Sequence, residues 1–363
     1  MSLRERLAAG PLRWWCADRL GGVSMLTASL AAIARQHEPL RLPQGVDEEL
    51  VAAAFRQRVA WCVQHAPPYR VLAAWVRTGV VSPGWAHTAA AAWPSHAPLS
   101  ASQRARAWAW RPTATGWRDL GQPSEPARGG PVEDALTDLQ VRMVRYLAAH
   151  APSGTVGPRG AEVGLARICW TAAVLERDAA VLLVDDPATA VHQLRSDIPD
   201  GALANLVDLA ALFGKPDSGA AGLRRWAGEP ATGAPLGIVN PVIVPGWACR
   251  GLLVGETLLT VFTDEALDPE VTAPRLWELL ASAWLDTEDR FQIRYVGVYL
   301  ARFGRVQRWG LRMLIDQCTG SPRTRSTTRE EFLSLAATLI RADGGQPPPS
   351  TPDRAVETPP WSQ

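Results

Sequence analysis

Lysine is almost missing from this chain. Of 37 basic residues in 363, the sole lysine is Lys215, and the rest are arginine. That bias goes with the Ala, Gly and Pro load of a GC-rich genome. A mechanism that needs a catalytic lysine has one candidate, and Lys215 lies in a Gly/Pro-rich loop, Gly214-Lys215-Pro216-Asp217. Cysteine is scarce too. Cys16, Cys62, Cys169, Cys249 and Cys318 stand far apart with no CxxC pair, so neither a zinc ribbon nor a disulfide framework is indicated. Buried free thiols in a reducing cytoplasm are expected. No run reaches the roughly 18–20 apolar residues of a spanning helix, and Met1–Gly10 is charged with no apolar signal core. The expectation is a cytoplasmic protein without membrane association.

Several reactive patterns are missing as well. His37, His65, His87, His96, His150 and His192 include no pair at i, i+4, and HExxH is absent. Gly214-Lys215-Pro216 is not a phosphate-cradling loop, because the upstream glycine spacing is wrong and proline follows the lysine. No GxGxxG follows a strand. Gly22-Val23-Ser24-Met25-Leu26 lacks the second glycine of a nucleophile elbow. Asp185-Asp186 reads as a helix cap before Pro187. Net charge is +1, so no global field draws in nucleic acid, and only local patches can.

What is present is apolar. Hydrophobic residues make up 47% of the chain, enough for a substantial core and too many for a disordered protein. The sixteen tryptophans sit at helical or strand spacing beside other apolar residues, which predicts core packing. Residues 1–120 read mainly as helix. Leu20–Arg35 has no breaker after Gly21-Gly22, and Asp47–His65 opens on the acidic turn Asp47, Glu48, Glu49. Ala107–Trp110 alternates aromatic and small residues and predicts a short strand. Residues 121–131 carry Pro123, Pro126, Gly129, Gly130 and Pro131 and read as a linker. Residues 132–237 return to helix, with a long pattern over Gly160–Leu183. Residues 238–342 hold a small mixed sheet and a last helix, and the Pro-rich segment 343–363 is predicted to be disordered. The expected class is α+β, with a mainly helical N-terminal region and an α/β-like C-terminal core.

In that core, the apolar runs Leu252–Val254 and Thr257–Thr263 flank Gly255-Glu256. An amphipathic helix pattern, Thr272–Asp286, and a strand-like run, Val296–Leu300, follow. Strand, turn, strand, helix, strand is the order of the PD-(D/E)XK nuclease core. Arg167-Ile168-Cys169-Trp170, Leu175-Glu176-Arg177, Asn240-Pro241, Leu252–Gly255, Leu276–Leu280 and Val296–Arg302 carry a further likeness. They resemble a group of actinobacterial proteins that look like members of the PD-(D/E)XK restriction-endonuclease-like superfamily. The resemblance implies an Asp before the first apolar run and a Glu-apolar-Lys triplet on the second. Those places read Gly251, Thr260 and Phe262 here. The Gln and aromatic that the family's helix usually carries fall at Glu278 and Ser282. Every functional position departs from the pattern while the apolar framework is kept.

Phosphodiester hydrolysis on this fold uses magnesium held by carboxylates, which lowers the pKa of the attacking water. Glycine supplies no ligand, threonine one neutral oxygen, and phenylalanine no charge. No cofactor is expected, and magnesium enters only if a relocated site uses Glu278 and Asp264. A second feature is basic. From Arg290 to Arg329 the arginines 290, 294, 302, 305, 308, 312, 323, 325 and 329 face a single acid, Asp316. Arg294, Arg302, Arg305 and Arg308 are the candidates for gripping phosphates, with Phe303 and Trp309 interleaved to stack on bases. An arginine-decorated sheet edge in an arginine-rich chain explains the same run. The expected role is a non-catalytic, pseudonuclease-like relative that binds nucleic acid or a partner protein. The alternatives are a nuclease with relocated acidic ligands and a scaffold with no nucleic-acid role.

Overall fold

The chain starts with three short helices, α1 (Leu3–Ala8), α2 (Pro11–Arg19) and α3 (Val23–Arg35), in a computed structural model that describes residues 1–320 and 325–349. Ser2 opens the first: its side chain accepts from Glu5 N, and the Glu5 carboxylate accepts from Ser2 N at 2.7 Å. The acidic turn then produces α4 (Glu48–Val63), where the Asp47 carboxylate accepts from Leu50 N at 3.0 Å. Eleven of the sixteen residues in this helix are buried, so it is a core element rather than one with a wide wet face.

Helices α5 (Tyr69–Arg77), α6 (Pro83–Ala91) and α7 (Ala101–Arg104) follow. The strand predicted at Ala107–Trp110 is displaced. Ala107–Ala109 form a 3-10 turn, and β1 (Trp110–Thr113) begins where the turn ends, pairing antiparallel with β2 (Gly116–Asp119). The Trp108 N–H donates to His87 Nδ1 at 3.2 Å, so this residue has no donor left for a ladder.

Residues 121–130 have neither helix nor strand, as their prolines and glycines dictate, yet they are fastened. The Pro123 carbonyl lies 2.8 Å from His87 Nε2, and the Glu133 carboxylate accepts from Ser82 N, Ser82 Oγ and Gly129 N. The segment passes so close to α6 that a Cβ on Gly84 would lie 2.0 Å from the Glu125 carbonyl oxygen.

The next helices are α8 (Pro131–His150), α9 (Arg159–Arg177), α10 (Pro187–Ser196), α11 (Asp200–Phe213) and α12 (Gly219–Trp226). The helix predicted through Leu183 stops at Arg177. The Asp178 carboxylate accepts from Ala180 N at 3.0 Å, turning Ala179–Leu182 into a 3-10 segment.

The main sheet comprises β3 (Gly237–Val239), β4 (Leu252–Val254), β5 (Thr257–Phe262), β6 (Tyr295–Leu300) and β7 (Arg305–Gly310). Helix α13 (Pro269–Leu285) joins β5 to β6, and α14 (Leu311–Thr319) and α15 (Arg325–Ala342) close the described chain. Spatial order equals chain order. Only β5 and β6 are parallel, because α13 carries the chain back along the sheet before it re-enters; the other pairs are antiparallel. In all, the described residues form a mixed α+β protein with fifteen α-helices, two small sheets and no barrel.

Period-two alternation splits the core in two. On β5, Leu258 and Phe262 join one apolar cluster, Leu259 and Val261 the other. The first also takes Leu3, Leu12 and Leu30 from α1–α3, and Leu276, Trp284 and Phe332 from α13 and α15. The second takes Phe55 from α4, Leu175 from α9 and Phe213 from α11. The main sheet is thus a middle layer with helices on both faces. Residues 1–35 pack with the C-terminal helices rather than with the helices that follow them in sequence.

Tryptophans tie helices together as expected: Trp75 Nε1 donates to Leu175 O at 3.1 Å, and Trp93 Nε1 to Gln140 Oε1 at 2.9 Å. Trp14 is an exception, 71% exposed. Cys16, Cys62, Cys169 and Cys318 are free and buried, and Cys249 is half-buried. Among the described residues no helix is long and apolar enough to cross a membrane. Of the tail predicted at 343–363, residues 350–363 lie outside the described residues. Its first residue is anchored, since the Asp343 carboxylate accepts from Arg6 and from Trp247 Nε1.

Candidate functional site

Strand β4 has three residues and β5 six, so β5 runs on beyond its partner. Leu252 pairs with Leu259, and one further step places Gly251 beside Thr260. Here the neighbouring chain leaves the sheet. Gly251 has φ +93°, and its carbonyl accepts from Asn240 N at 3.0 Å. The uncovered end of β5 becomes the floor of a cleft of roughly 940 Å³, mouth included.

Helical spacing builds the walls. Ala53, Arg56, Gln57 and Ala60 come from α4 at i, i+3, i+4, i+7. Arg275, Glu278, Leu279 and Ser282 come from α13 at the same spacing. Arg4 enters from α1, Arg70 from α5, Glu176 from α9 and Arg250 from the segment before β4. Five guanidiniums therefore face two carboxylates, a formal excess of three positive charges.

Two of the arginines are paired. Arg70 meets Glu176 at 2.5 Å, and Arg275 holds Asp264 through bonds of 2.5 and 3.0 Å. Arg4, Arg56 and Arg250 have no hydrogen-bond or ion-pair partner among the described residues, and the Arg56 Nε is buried without one. Burial, with Arg70, Arg4 and Arg275 adding repulsion, pushes Arg56 down to about 10. Burial and then Arg70 lower Arg250 as well. A guanidinium holds its proton far more firmly than this in water. Burial lifts the Glu278 carboxyl, against the opposing pull of Arg250, Arg4, Arg70 and Arg275. An anion entering this cleft meets positive charge in a low-dielectric site and relieves the repulsion among the arginines.

The structure brings Gly251, Thr260, Glu278 and Ser282 together. Phe262 lies two residues along from Thr260 on the same face of β5, but it is buried in the apolar cluster. The Arg275 guanidinium carbon sits 5.1 Å from its ring centroid. At Phe262, where the resemblance implies a lysine, the cation resting on the ring is thus the helix residue Arg275. Asp264 does not reach the cleft; Arg275 holds it outside.

The donor set does not fit magnesium. Among the described lining residues the carboxylates are Glu176 and Glu278; the first is committed to Arg70, and the surrounding charge is positive. Gly251 has no room for a ligating side chain: a Cβ there would lie 2.9 Å from the Leu259 carbonyl oxygen, at a φ that L-residues avoid. No three His, Cys, Asp or Glu side chains group as metal ligands among the described residues.

Of the arginines singled out at 290–329, five have other partners, and Arg312 and Arg329 have none among the described residues. Arg302 is 1% exposed and cannot meet a ligand from solvent; it donates to Thr263 O, Leu40 O and Asn205 Oδ1. Arg294 pairs with Asp289 at 2.6 and 2.7 Å, and Arg290 with Glu288 at 2.8 Å. Arg305 Nε donates to His37 Nε2 at 3.1 Å. Arg308 is exposed but rests over the rings of Tyr295 and Trp226, at 4.3 and 5.5 Å. Phe303 is buried rather than free to stack. Arg323 and the Arg325 side chain lie outside the described residues.

In the cleft the unpartnered positive charge sits on residues outside that basic run: Arg4, Arg56 and Arg250. One signal was available for the last, which abuts Gly251. Arg56-Gln57 also interrupts an otherwise apolar helix. Nothing local marks Arg4. Compared with protein-family models, with curated proteins and with solved structures, the chain matches none.

Proposed function

We propose that this chain is a non-catalytic relative of the PD-(D/E)XK nucleases that binds nucleic-acid phosphate in the arginine cleft, where those enzymes hold their metal. One observation carries the reading: the unpartnered guanidiniums of Arg4, Arg56 and Arg250 converge on the cleft beside Gly251 and Thr260. The order β4, β5, α13, β6 supports the kinship, and the replaced ligands support the loss of hydrolysis.

The chemistry is consistent. Guanidiniums bind phosphate oxygens through paired, charge-assisted hydrogen bonds. They do not generate hydroxide from water at neutral pH, which is the metal's task. No aromatic side chain lines the cleft among the described residues, so contact is with phosphate rather than with stacked bases, and recognition is independent of base sequence. A relocated metal site finds less support, because Asp264 is neutralised by Arg275 and Glu278 is ringed by arginine.

The test is binding and cleavage side by side on the full chain. Single-stranded oligonucleotides should bind in EDTA and remain intact when magnesium or manganese is added. The double variant Arg56→Ala, Arg250→Ala should bind at least about tenfold more weakly. Metal-dependent digestion that disappears in Glu278→Ala would overturn the proposal in favour of a relocated active site. Failure to bind any nucleic acid would leave a scaffold role.

A further inference from the structure

Glu278 is not explained by a simple grip on a phosphate backbone. It is half-buried in a ring of cationic side chains, and its carboxylate receives no hydrogen bond among the described residues. The charged groups facing the cleft from its other walls are Arg4, Arg56, Arg70, Arg250 and Glu176, with Arg275 one turn away on the same helix. An acid at this position repels a fully ionised anion and weakens the pull of the arginines. It becomes favourable when a proton lies between it and the ligand, and a ligand that carries one supplies it without uptake from solvent, whereas a desolvated carboxylate oxygen left without a donor costs stability.

A backbone phosphodiester has no proton to offer at neutral pH. A terminal phosphomonoester keeps a P–O–H on about half of its molecules near pH ~6, where its second ionisation falls, and on a minority at about pH 7. We infer that the cleft takes the terminal phosphomonoester of a nucleic-acid strand, whose remaining P–O–H donates to Glu278 while the arginines take the other oxygens. This rests on the reading that the cleft binds nucleic-acid phosphate, and it specifies which phosphate. One proton lies between two oxygens, the ligand's and Glu278's, so no co-reactant is needed. The raised affinity of the Glu278 carboxyl for a proton acts in the same direction, holding that shared proton in the site.

Calorimetry on the full chain at about pH 6, where the terminal phosphate keeps its proton on about half of the molecules, tests the inference with four probes: inorganic phosphate, sulfate, and a short oligodeoxythymidine with and without a terminal phosphate. Sulfate has the same shape as phosphate and no proton at this pH. Phosphate should bind about tenfold more tightly than sulfate, and the phosphorylated strand about tenfold more tightly than its hydroxyl-ended twin. Glu278→Gln keeps the shape and turns an acceptor into a donor, so it should bring sulfate level with phosphate.

Equal binding of phosphate and sulfate by the unaltered protein overturns the inference. So does a preference that survives Glu278→Gln, or equal affinity for the two oligonucleotides. These results leave the arginine cleft standing as a general anion site. If inorganic phosphate binds and neither oligonucleotide does, the proposed nucleic-acid role itself fails. The phosphate-to-sulfate comparison needs no variant, so poor folding of Glu278→Gln would not hide the answer.

Discussion

Arg56 and Arg58 lie two residues apart on α4 and do opposite work. Arg58 is 4% exposed and grips Glu162 through bonds of 2.8 and 2.7 Å, with a third bond to Thr155 O. Removing either partner strands a buried charge. Glu162→Gln should therefore lower the unfolding free energy by about 3–5 kcal/mol, read from urea denaturation. Arg56 has no partner to strand and feels repulsion from Arg70, Arg4 and Arg275. Arg56→Ala should leave the urea midpoint unchanged or raise it, while weakening anion binding. A large loss of stability in Arg56→Ala would show that its role is structural. The sequence Arg56-Gln57-Arg58 does not distinguish the two arginines. What separates them is Glu162, which is 104 residues from Arg58 in the chain. The same distance problem misplaced Arg302: its run of neighbouring arginines looks like a wet face, and its acceptors at Leu40, Thr263 and Asn205 are invisible to local pattern.

At the scale of the element, the short step between β4 and β5 makes the cleft. Gly251 ends the pairing with a left-handed backbone, and a side chain there would press on the Leu259 carbonyl. Gly251→Ala should cost about 1–3 kcal/mol in denaturant titration. Gly251→Asp should cost at least as much and should not recruit magnesium. A stable, metal-binding Gly251→Asp protein would contradict this picture of the strand end.

Helix α1 brings Arg4 to the site and is pinned at its other side, where Arg6 meets Asp343 at 2.5 Å and Trp247 Nε1 joins the same carboxylate at 3.1 Å. The Arg6 hydrogen bond holds Asp343 down to about 2, below its ordinary value near ~3.9. A depressed carboxyl stabilises the fold fully above its unfolded pKa and loses that contribution as pH falls through the folded one. Asp343→Asn should therefore be less stable than the unaltered protein near neutral pH, and the gap should close between about pH 4 and pH 2. A gap that persists undiminished at the acid end would place the stabilisation elsewhere.

Elements with uninterrupted apolar runs, such as β4, β5 and β6, were legible in the sequence. So was α4, from its acidic first turn. The 3-10 segments at Ala107–Ala109 and Ala179–Leu182 were not, because single side-chain or ring acceptors, Asp178 and His87, redirect the backbone there. Strand β7 was hidden by its polar composition, Arg305-Val306-Gln307-Arg308-Trp309-Gly310.

The whole molecule is a sheet between two helical layers, and the cleft opens where the layers meet past the end of β4. Its charged lining comes from α1, α4, α5, α9, α13 and the segment before β4, so no single stretch of sequence announces it. A net charge of +1 conceals it further, since acids elsewhere balance these arginines. Gly251 and Thr260 were legible as a place; that the place is cationic was not.

The central claim is that these particular arginines hold nucleic-acid phosphate without a metal. It is tested most directly by the salt dependence of oligonucleotide binding in EDTA, measured for the unaltered protein and for Arg56→Ala, Arg250→Ala. Each single-strand phosphate contact contributes a slope of about −0.7 in log affinity against log salt, so the double variant should be shallower by about 0.7 for each phosphate contact that it loses. Two parallel lines, or binding that vanishes in EDTA and returns with magnesium, would contradict it.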